Sequence, residues 1–293
     1  MRQINFDFSF LEEVIEYLKR DRTDEDTIVH LSQMPAVDHL VRHSNNFSFD
    51  NTTRIELVKN LLNPLEKSIE VLPETTTAAD RLRNYLADND DWMLETEKLL
   101  PEEHNFAGVN MYLTFGYDVG VVSDSSSASL NLAHPLIRKQ PEDAPFYLIH
   151  ELHHTGYLNY QDLSGLGEIR SRGQLVDLVQ SLTHLEGLGM YAPMDFRKNC
   201  GALDRDPKYR IIGDEPRIKR LEQKFWQQYD LLGQLPEQVN REQVSQTLES
   251  FGEPESLFHL VGCRLVQRLE SKHGRDTLVE TIMKGPRYFF SLL

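Results

Sequence analysis

The stretch from Pro145 to His154, which runs Pro-Phe-Tyr-Leu-Ile-His-Glu-Leu-His-His, decides how the rest of this chain is interpreted. Asp143 is suited to cap a helix, and Pro145 is suited to a first helical turn. From there onward, apolar and imidazole side chains recur at helical spacing, at Phe146, Ile149, His150, His153 and Tyr157. The sequence therefore predicts a helix whose inward face carries imidazoles.

This helix contains a His-Glu-x-x-His pattern, formed by His150, Glu151 and His154. Residues four apart on an α-helix lie about 40° apart around the axis and about 6 Å along it, so both imidazoles share one face. Two imidazoles in this arrangement can bind one Zn²⁺, whose bonds to histidine nitrogen are about 2.0–2.1 Å long. Glu151 can then act as general base toward a water on the ion. The alternative is a chance pair of histidines with Glu151 in solvent.

A zinc site needs a third protein ligand, which a neighbouring helix should supply. Residues 173–191 project as a helix on which Glu186 lies in the middle of an apolar stripe, whereas His184 falls on the opposite, polar side. A carboxylate on an apolar face requires a cation, so Glu186 is the predicted ligand and Glu168 the next choice. A salt bridge from Glu186 to a buried Arg264 is the alternative. The remaining acidic candidates are Asp162 and Asp177.

The segment His150-Glu151-Leu152-His153-His154, followed on a later helix by Glu186, resembles the gluzincin class of zinc metallopeptidases. The similarity covers about residues 107–192 and is especially clear to uncharacterised microbial proteins grouped as zinc-dependent peptidases of this class. The resemblance implies one zinc ion per chain and a Glu151 that activates the attacking water. The implied zinc ligands are His150, His154 and Glu186.

The same resemblance implies a strand that binds substrate. In that class an antiparallel edge strand above the metal pairs with the extended substrate peptide, and main-chain hydrogen bonds supply the affinity. The predicted edge residues here are Asn131, Leu132 and Ala133. The alternative is a sheet that only covers the core.

Apolar periodicity predicts the fold class. Short β-type runs follow Pro101, and helical periodicity dominates elsewhere, so the fold is expected to be α+β and predominantly helical. A zincin-like core with a small antiparallel sheet next to the His-Glu-x-x-His helix is expected. A helical N-terminal lobe over 1–104 and a metal-binding catalytic region over 105–293 are predicted, with one continuous domain as the alternative. The predicted strands are 109–115, 119–122 and 128–132. The predicted helices are 9–20, 35–43, 53–72 with a break at Pro64, 76–87, 90–100, 216–232, 242–251, 254–273 and 276–284.

Other segments have weaker chemical signals. His39 and His43 stand four residues apart, but no glutamate accompanies them, and they are interpreted, like His30, as surface or capping residues. Residues 45–51 are expected to form a loop. Residues 196–215 are expected to be irregular, either as a lid or substrate-binding loop or as a surface loop without a chemical role.

The composition indicates an acidic soluble protein. The 293 residues include 46 acidic and 31 Lys or Arg residues, and the formal net charge of −15 disfavours nucleic acid and anionic membranes as partners. Two cysteines suit a reducing compartment. Acidic residues within the first apolar segment argue against a signal peptide, and no run approaches the roughly 18 apolar residues of a membrane span. The cytoplasm is therefore the expected location.

The predicted function is zinc-dependent hydrolysis of a peptide bond in a peptide or protein substrate. Zinc would polarise the scissile carbonyl, and Glu151 would take a proton from the water and deliver it to the leaving amine. The oxyanion also needs a stabilising side chain. The candidates for that role are Tyr191, Tyr209, His259 and Arg264.

Two other functions stay open at this point. One is a non-catalytic, metal-braced protein whose cleft only binds a peptide. The other is an acidic helical interaction protein with an accidental His-Glu-x-x-His motif. The sequence leaves the substrate, the choice between endo- and exo-cleavage, and the oligomeric state undetermined.

Overall fold

The computed structural model describes residues 4–20, 24–47, 49, 51–163 and 165–293, whose contacts divide the chain into two compact units. Unit 1 combines the described residues of Met1–Leu94 with Asn105–Thr155, and unit 2 combines Glu95–His104 with those of Gly156–Leu293. This division differs from the predicted boundary after residue 104, because the N-terminal helices belong to the same unit as the sheet. Most described residues are helical, so the predominantly helical α+β class is confirmed.

Unit 1 contains the sheet and the helices packed on it; two of its helices, α7 and α9, end within residues of unit 2. Its elements are β1 (Asn5–Asp7), α1 (Ser9–Lys19), α2 (Glu25–Ser32), α3 (Pro35–Phe47), α4 (Arg54–Leu61), α5 (Leu65–Glu70), α6 (Leu72–Asp88), α7 (Asp91–Glu97), β2 (Asn110–Thr114), β3 (Gly120–Asp124), β4 (Ser127–Asn131), α8 (Pro135–Arg138) and α9 (Ala144–Tyr157). The loop predicted over 45–51 is helical as far as Phe47, and its residues Ser48 and Asp50 lie outside the described residues.

Local sequence signals set the ends of α4. The Thr53 side chain accepts from the Glu56 backbone N–H, and the Glu56 carboxylate accepts from the Thr53 backbone N–H, which together form a capping box. The helix stops before Pro64, and α5 starts again at Leu65. The predicted break at Pro64 is thus confirmed, because proline lacks the N–H that would continue the ladder.

The sheet is mixed rather than antiparallel. Its four strands lie in the order β1-β2-β4-β3; β1 and β2 are parallel, β2 and β4 are parallel, and only β3 and β4 are antiparallel. The antiparallel prediction is therefore wrong for the two parallel pairs. The chain leaves β2, forms the outer strand β3, and returns to insert β4 between them, and turn residues alone do not reveal such an insertion.

Unit 2 is built from helices. Its elements are α10 (Arg172–Tyr191), α11 (Met194–Asn199), α12 (Pro207–Gly213), α13 (Glu215–Leu232), α14 (Arg241–Phe251), α15 (Leu257–His273), α16 (Arg275–Lys284) and α17 (Pro286–Ser291). The segment 196–215, predicted to be irregular, contains α12 and most of α11, and that prediction is therefore wrong for these residues.

Helices α10 and α15 are in backbone contact at two glycines. A Cβ atom on Gly187 would lie 2.5 Å from the carbonyl carbon of Gly262, and a Cβ on Gly262 would lie 2.4 Å from the carbonyl oxygen of Thr183. Neither position has room for a side chain. The crossing therefore depends on glycine in both helices, and it fixes the side chains next to it.

Helix α10 is buried around most of its surface. His184 is fully buried, with Nδ1 3.1 Å from the Tyr157 hydroxyl and Nε2 2.9 Å from the Thr281 hydroxyl. The Phe289 ring of α17 stacks on it at 4.5 Å between ring centroids. Burial lowers the pKa of His184 to about 3, so the imidazole is neutral. The prediction of a polar side at His184 is therefore wrong, because another helix covers that side.

No helix within the described ranges combines the length and the apolar character that crossing a bilayer requires.

The glycine contact predicts a stability difference. Gly262→Ala should lower the free energy of unfolding by about 1–3 kcal/mol, because the added methyl group must push α10 and α15 apart. Gly213→Ala is the matched control, since a Cβ there meets nothing within 4 Å. It should leave stability unchanged or raise it slightly. Urea unfolding midpoints measure both, and equal stability of the two variants would contradict the close crossing.

Candidate metal centre

The His-Glu-x-x-His residues lie on α9, as predicted. The rings of His150 and His154 stand one turn apart on the same face, with centroids 4.4 Å apart and planes at 76°. His154 and Glu151 are buried, and the His150 side chain is partly exposed. Unit 1 thus presents two imidazoles side by side, and the one of His150 is partly exposed.

Glu151 lies against the backbone of β3. A Cβ atom on Gly120 would lie 2.5 Å from the Glu151 carboxyl carbon and 2.5 Å from its Oε1. The same Oε1 is 4.0 Å from His150 Nε2. The carboxylate therefore occupies the space that any side chain at residue 120 would need. The role of Gly120 was not predicted, because nothing in the sequence near β3 shows which helix lies over that strand.

Glu186 in unit 2 lies beside a histidine rather than an arginine. His259 Nε2 of α15 is 3.0 Å from Glu186 Oε2 of α10, and both side chains are partly exposed. The glycine crossing of α10 and α15 sits next to Glu186 in the chain and holds the two helices this close. Arg264, the alternative partner, instead pairs with Glu215 at 2.8 Å.

The other acidic candidates for a metal ligand have different surroundings. Asp177 accepts two hydrogen bonds from Arg287, at 2.7 and 2.6 Å, on the surface of unit 2. Asp162 and Glu168 are exposed. Glu186 is thus the predicted carboxylate that has a histidine nitrogen within hydrogen-bond distance.

The candidate oxyanion stabilisers are placed differently from one another. The Tyr191 hydroxyl donates to Glu270, and burial, followed by that hydrogen bond, raises its pKa. Tyr209 is a core residue whose hydroxyl donates to the Met190 carbonyl at 2.7 Å. Arg264 pairs with Glu215. His259 is the candidate that lies directly beside a predicted zinc ligand.

The predicted edge strand is not an edge. Asn131 ends β4, which pairs with β2 on one side and β3 on the other, while Leu132 and Ala133 follow the strand. Asn131 instead fixes the nearby turns, because its side-chain oxygen accepts from the N–H groups of Gly116 and Ala133, at 2.9 and 3.0 Å. The edge prediction for Asn131 to Ala133 is therefore wrong. The outer strand on this side of the sheet is β3, whose first residue is Gly120.

A buried histidine anchors β3. His39 of α3 is fully buried; its Nδ1 lies 2.9 Å from the Ser123 hydroxyl, and its Nε2 lies 3.2 Å from the Val121 carbonyl oxygen. Further hydroxyls of β4 surround the same ring, those of Ser127 and Ser129. Burial lowers the pKa of His39 to about 3. The surface interpretation of His39 is wrong, because α3 packs its inner face on the sheet.

No protein-family model, curated protein or solved structure matches this chain. The resemblance to the gluzincins stays a prediction.

The neutral, buried His39 predicts a dependence of stability on pH. Its pKa is about 3 in the folded protein and about 6.5 when unfolded, so between these values only the unfolded chain takes up the proton. The stabilisation is present above pH 6.5 and is lost as the pH falls toward 3, by up to about 1.4 kcal/mol per pH unit. The free energy of unfolding should therefore fall less steeply for His39→Gln than for the wild type. Parallel slopes would contradict this, and His30→Gln, at an exposed position of α2, is the control.

Proposed function

We propose that this protein is a zinc-dependent metallopeptidase, a hydrolase that cleaves peptide bonds with a zinc ion and Glu151. The observation that carries the proposal is the position of Glu151. Its carboxylate lies against Gly120 of an outer strand, beside the paired imidazoles of His150 and His154. On this proposal, unit 1 would hold a general base, two zinc ligands and a strand edge that can bind a peptide close to one another.

The donor chemistry supports zinc. Neutral imidazole nitrogens and a carboxylate oxygen are the ligands of many catalytic zinc sites. We assign His150 and His154 as nitrogen ligands and Glu186 as the carboxylate ligand. His150, Glu186 and His259 each offer one donor atom of a kind that could bind a metal ion. The assignment of His154 as a ligand rests instead on the spacing of the His-Glu-x-x-His motif. Glu151 and His154 of the motif are buried, and buried carboxylate and imidazole groups need a partner. A zinc ion would provide one, whereas a chance motif gives no reason for their burial.

The mechanism assigns one step to each group of the chain. When bound, zinc would polarise the scissile carbonyl and lower the pKa of the attacking water. Glu151 would accept a proton from that water and deliver it to the leaving amine. His259 is the favoured stabiliser of the developing oxyanion, because it already lies beside Glu186.

The substrate edge assigned here is β3 rather than residues 131–133. A peptide that pairs with β3 in an extended conformation would lie about 4.8 Å from that strand, which is the distance between neighbouring strands of a sheet. It would therefore pass next to Gly120 and close to the Glu151 carboxylate. The lack of a side chain at Gly120 lets the carboxylate reach this edge.

A second candidate function is a non-catalytic, metal-braced peptide-binding protein. The specific observation that favours it is the His259 imidazole next to Glu186, because a further nitrogen ligand would complete four-coordinate zinc and leave no position for water. Removal of His259 distinguishes the two. If His259 only assists the reaction, its removal should leave the affinity for zinc unchanged. If His259 completes a structural site, its removal should weaken zinc binding.

The central test combines zinc content with hydrolysis. His150→Ala should lose both zinc and activity, because two of the ligands act as a pair on one helix face. Glu151→Gln should keep zinc and lower hydrolysis by at least about 100-fold, because an amide cannot accept the proton. His30→Ala, at an exposed position, should leave both unchanged. Elemental mass spectrometry of untagged protein and a library of internally quenched peptides provide the two measurements.

Each other outcome points elsewhere. Full hydrolysis by Glu151→Gln would contradict the assigned mechanism. A wild type that holds zinc but cleaves no peptide would support the metal-braced binding protein. If the wild type takes up no zinc when zinc is offered, the remaining alternative is the acidic helical interaction protein with an accidental motif.

A further inference from the structure

The outer edge of β3 presents a short row of backbone groups. The Asn131 N–H donates to the Val119 carbonyl at 2.8 Å, which turns the backbone groups of residues 119 and 121 toward β4. Along an antiparallel strand, the backbone N–H and C=O groups of successive residues point alternately toward and away from the paired strand. Gly120 and Val122 therefore direct their N–H and C=O groups away from the sheet, where a further strand would bind them.

The Val122 end of this row is already occupied. His43 Nδ1 of α3 lies 2.7 Å from the Val122 carbonyl oxygen and donates its hydrogen to it. A strand paired with β3 would lie about 4.8 Å away and would donate one of its backbone N–H groups to the Val122 carbonyl oxygen. The His43 imidazole occupies the position of that N–H group. The His43 side chain thus takes the position of a peptide at this point.

Aromatic neighbours hold the His43 ring in place. The Phe47 ring of the same helix lies 4.9 Å from it, and the Tyr117 ring meets it edge-on at 5.9 Å. Tyr117 has a left-handed backbone, with a φ of 73°. A non-glycine residue in that conformation is strained, and its surroundings must offset the strain. The ring position is therefore fixed from two sides.

The Gly120 end is open. Among the described residues, no side chain or backbone outside the sheet is hydrogen-bonded to Gly120. Gly120 is partly exposed, and Glu151 lies against it. A peptide can therefore make its main-chain hydrogen bonds to Gly120. It cannot make both main-chain hydrogen bonds to Val122, about 6.6 Å further along the strand, because His43 already occupies the Val122 carbonyl oxygen.

We propose that His43 is a specificity-determining residue that ends the peptide-pairing edge of β3 at Val122. A substrate can then extend on that side only about two residues past the bond that the water activated by Glu151 would attack. The substrate class is an extended peptide whose free end lies close to the scissile bond, rather than the middle of a long chain. This inference rests on the proposed function for the cleavage step, but not for the binding step.

The cleavage experiment maps the bonds cut in synthetic peptides of four to twelve residues. The wild type should cut within about two residues of one end. His43→Ala should move cleavage inward and raise kcat/KM for long peptides at least about 10-fold, mainly through KM, because the edge becomes longer. His43→Gln should behave like the wild type, since its amide can donate to the same carbonyl. His30→Ala is the matched control.

The binding experiment does not need hydrolysis. In the Glu151→Gln background, hydrogen exchange of single amides is measured with and without the same peptide mixture. The mixture should protect the Gly120 amide in both proteins, and the Val122 amide only when His43→Ala is added.

The outcomes separate the two proposals. Equal protection of Val122 with and without His43, no protection of Gly120, or identical cleavage sites in wild type and His43→Ala would each overturn the role of His43. The absence of any cleavage by the zinc-loaded wild type would instead overturn the peptidase, while the exchange pattern would still decide the role of His43.

Discussion

The contact between the Glu151 carboxylate and the backbone of Gly120 is the constraint on which the candidate site depends. A buried carboxylate needs a partner or a cation, and here it is held between an imidazole of its own helix and an outer strand. Because residue 120 has no side chain, α9 can approach β3 closely enough to bring the proposed general base to the edge of the sheet. Any larger residue would displace the carboxylate, the strand or both.

Unit 2 uses the same device in another form. Gly187 and Gly262 let α10 and α15 meet at their backbones, and this crossing sets Glu186 beside His259. In both units a glycine therefore positions an acidic side chain by removing the atoms that would keep two elements apart. The chemistry we propose uses these two carboxylates in different ways, Glu151 as a base and Glu186 as a ligand.

The sequence predicted what depends on local periodicity. The His-Glu-x-x-His helix, the positions of β2, β3 and β4 to within about two residues and the break at Pro64 all follow from side-chain spacing or from the missing proline N–H. The short strand β1 was not predicted. The sequence could not predict what depends on neighbours distant in the chain. The insertion of β4 between β2 and β3 removed Asn131 from the edge. The packing of other elements buried His39, which was interpreted as a surface or capping residue, and His184, which a projection of its own helix placed on the polar side.

We propose that one zinc ion is bound by His150, His154 and Glu186, and the other assigned roles follow from that ion. Anomalous diffraction at the zinc absorption edge, from crystals of the untagged protein grown with zinc, tests this directly. We expect one strong peak per chain within about 2.0–2.2 Å of a nitrogen of each histidine and a Glu186 oxygen. A peak bound by other residues, or no peak near α9, would contradict it.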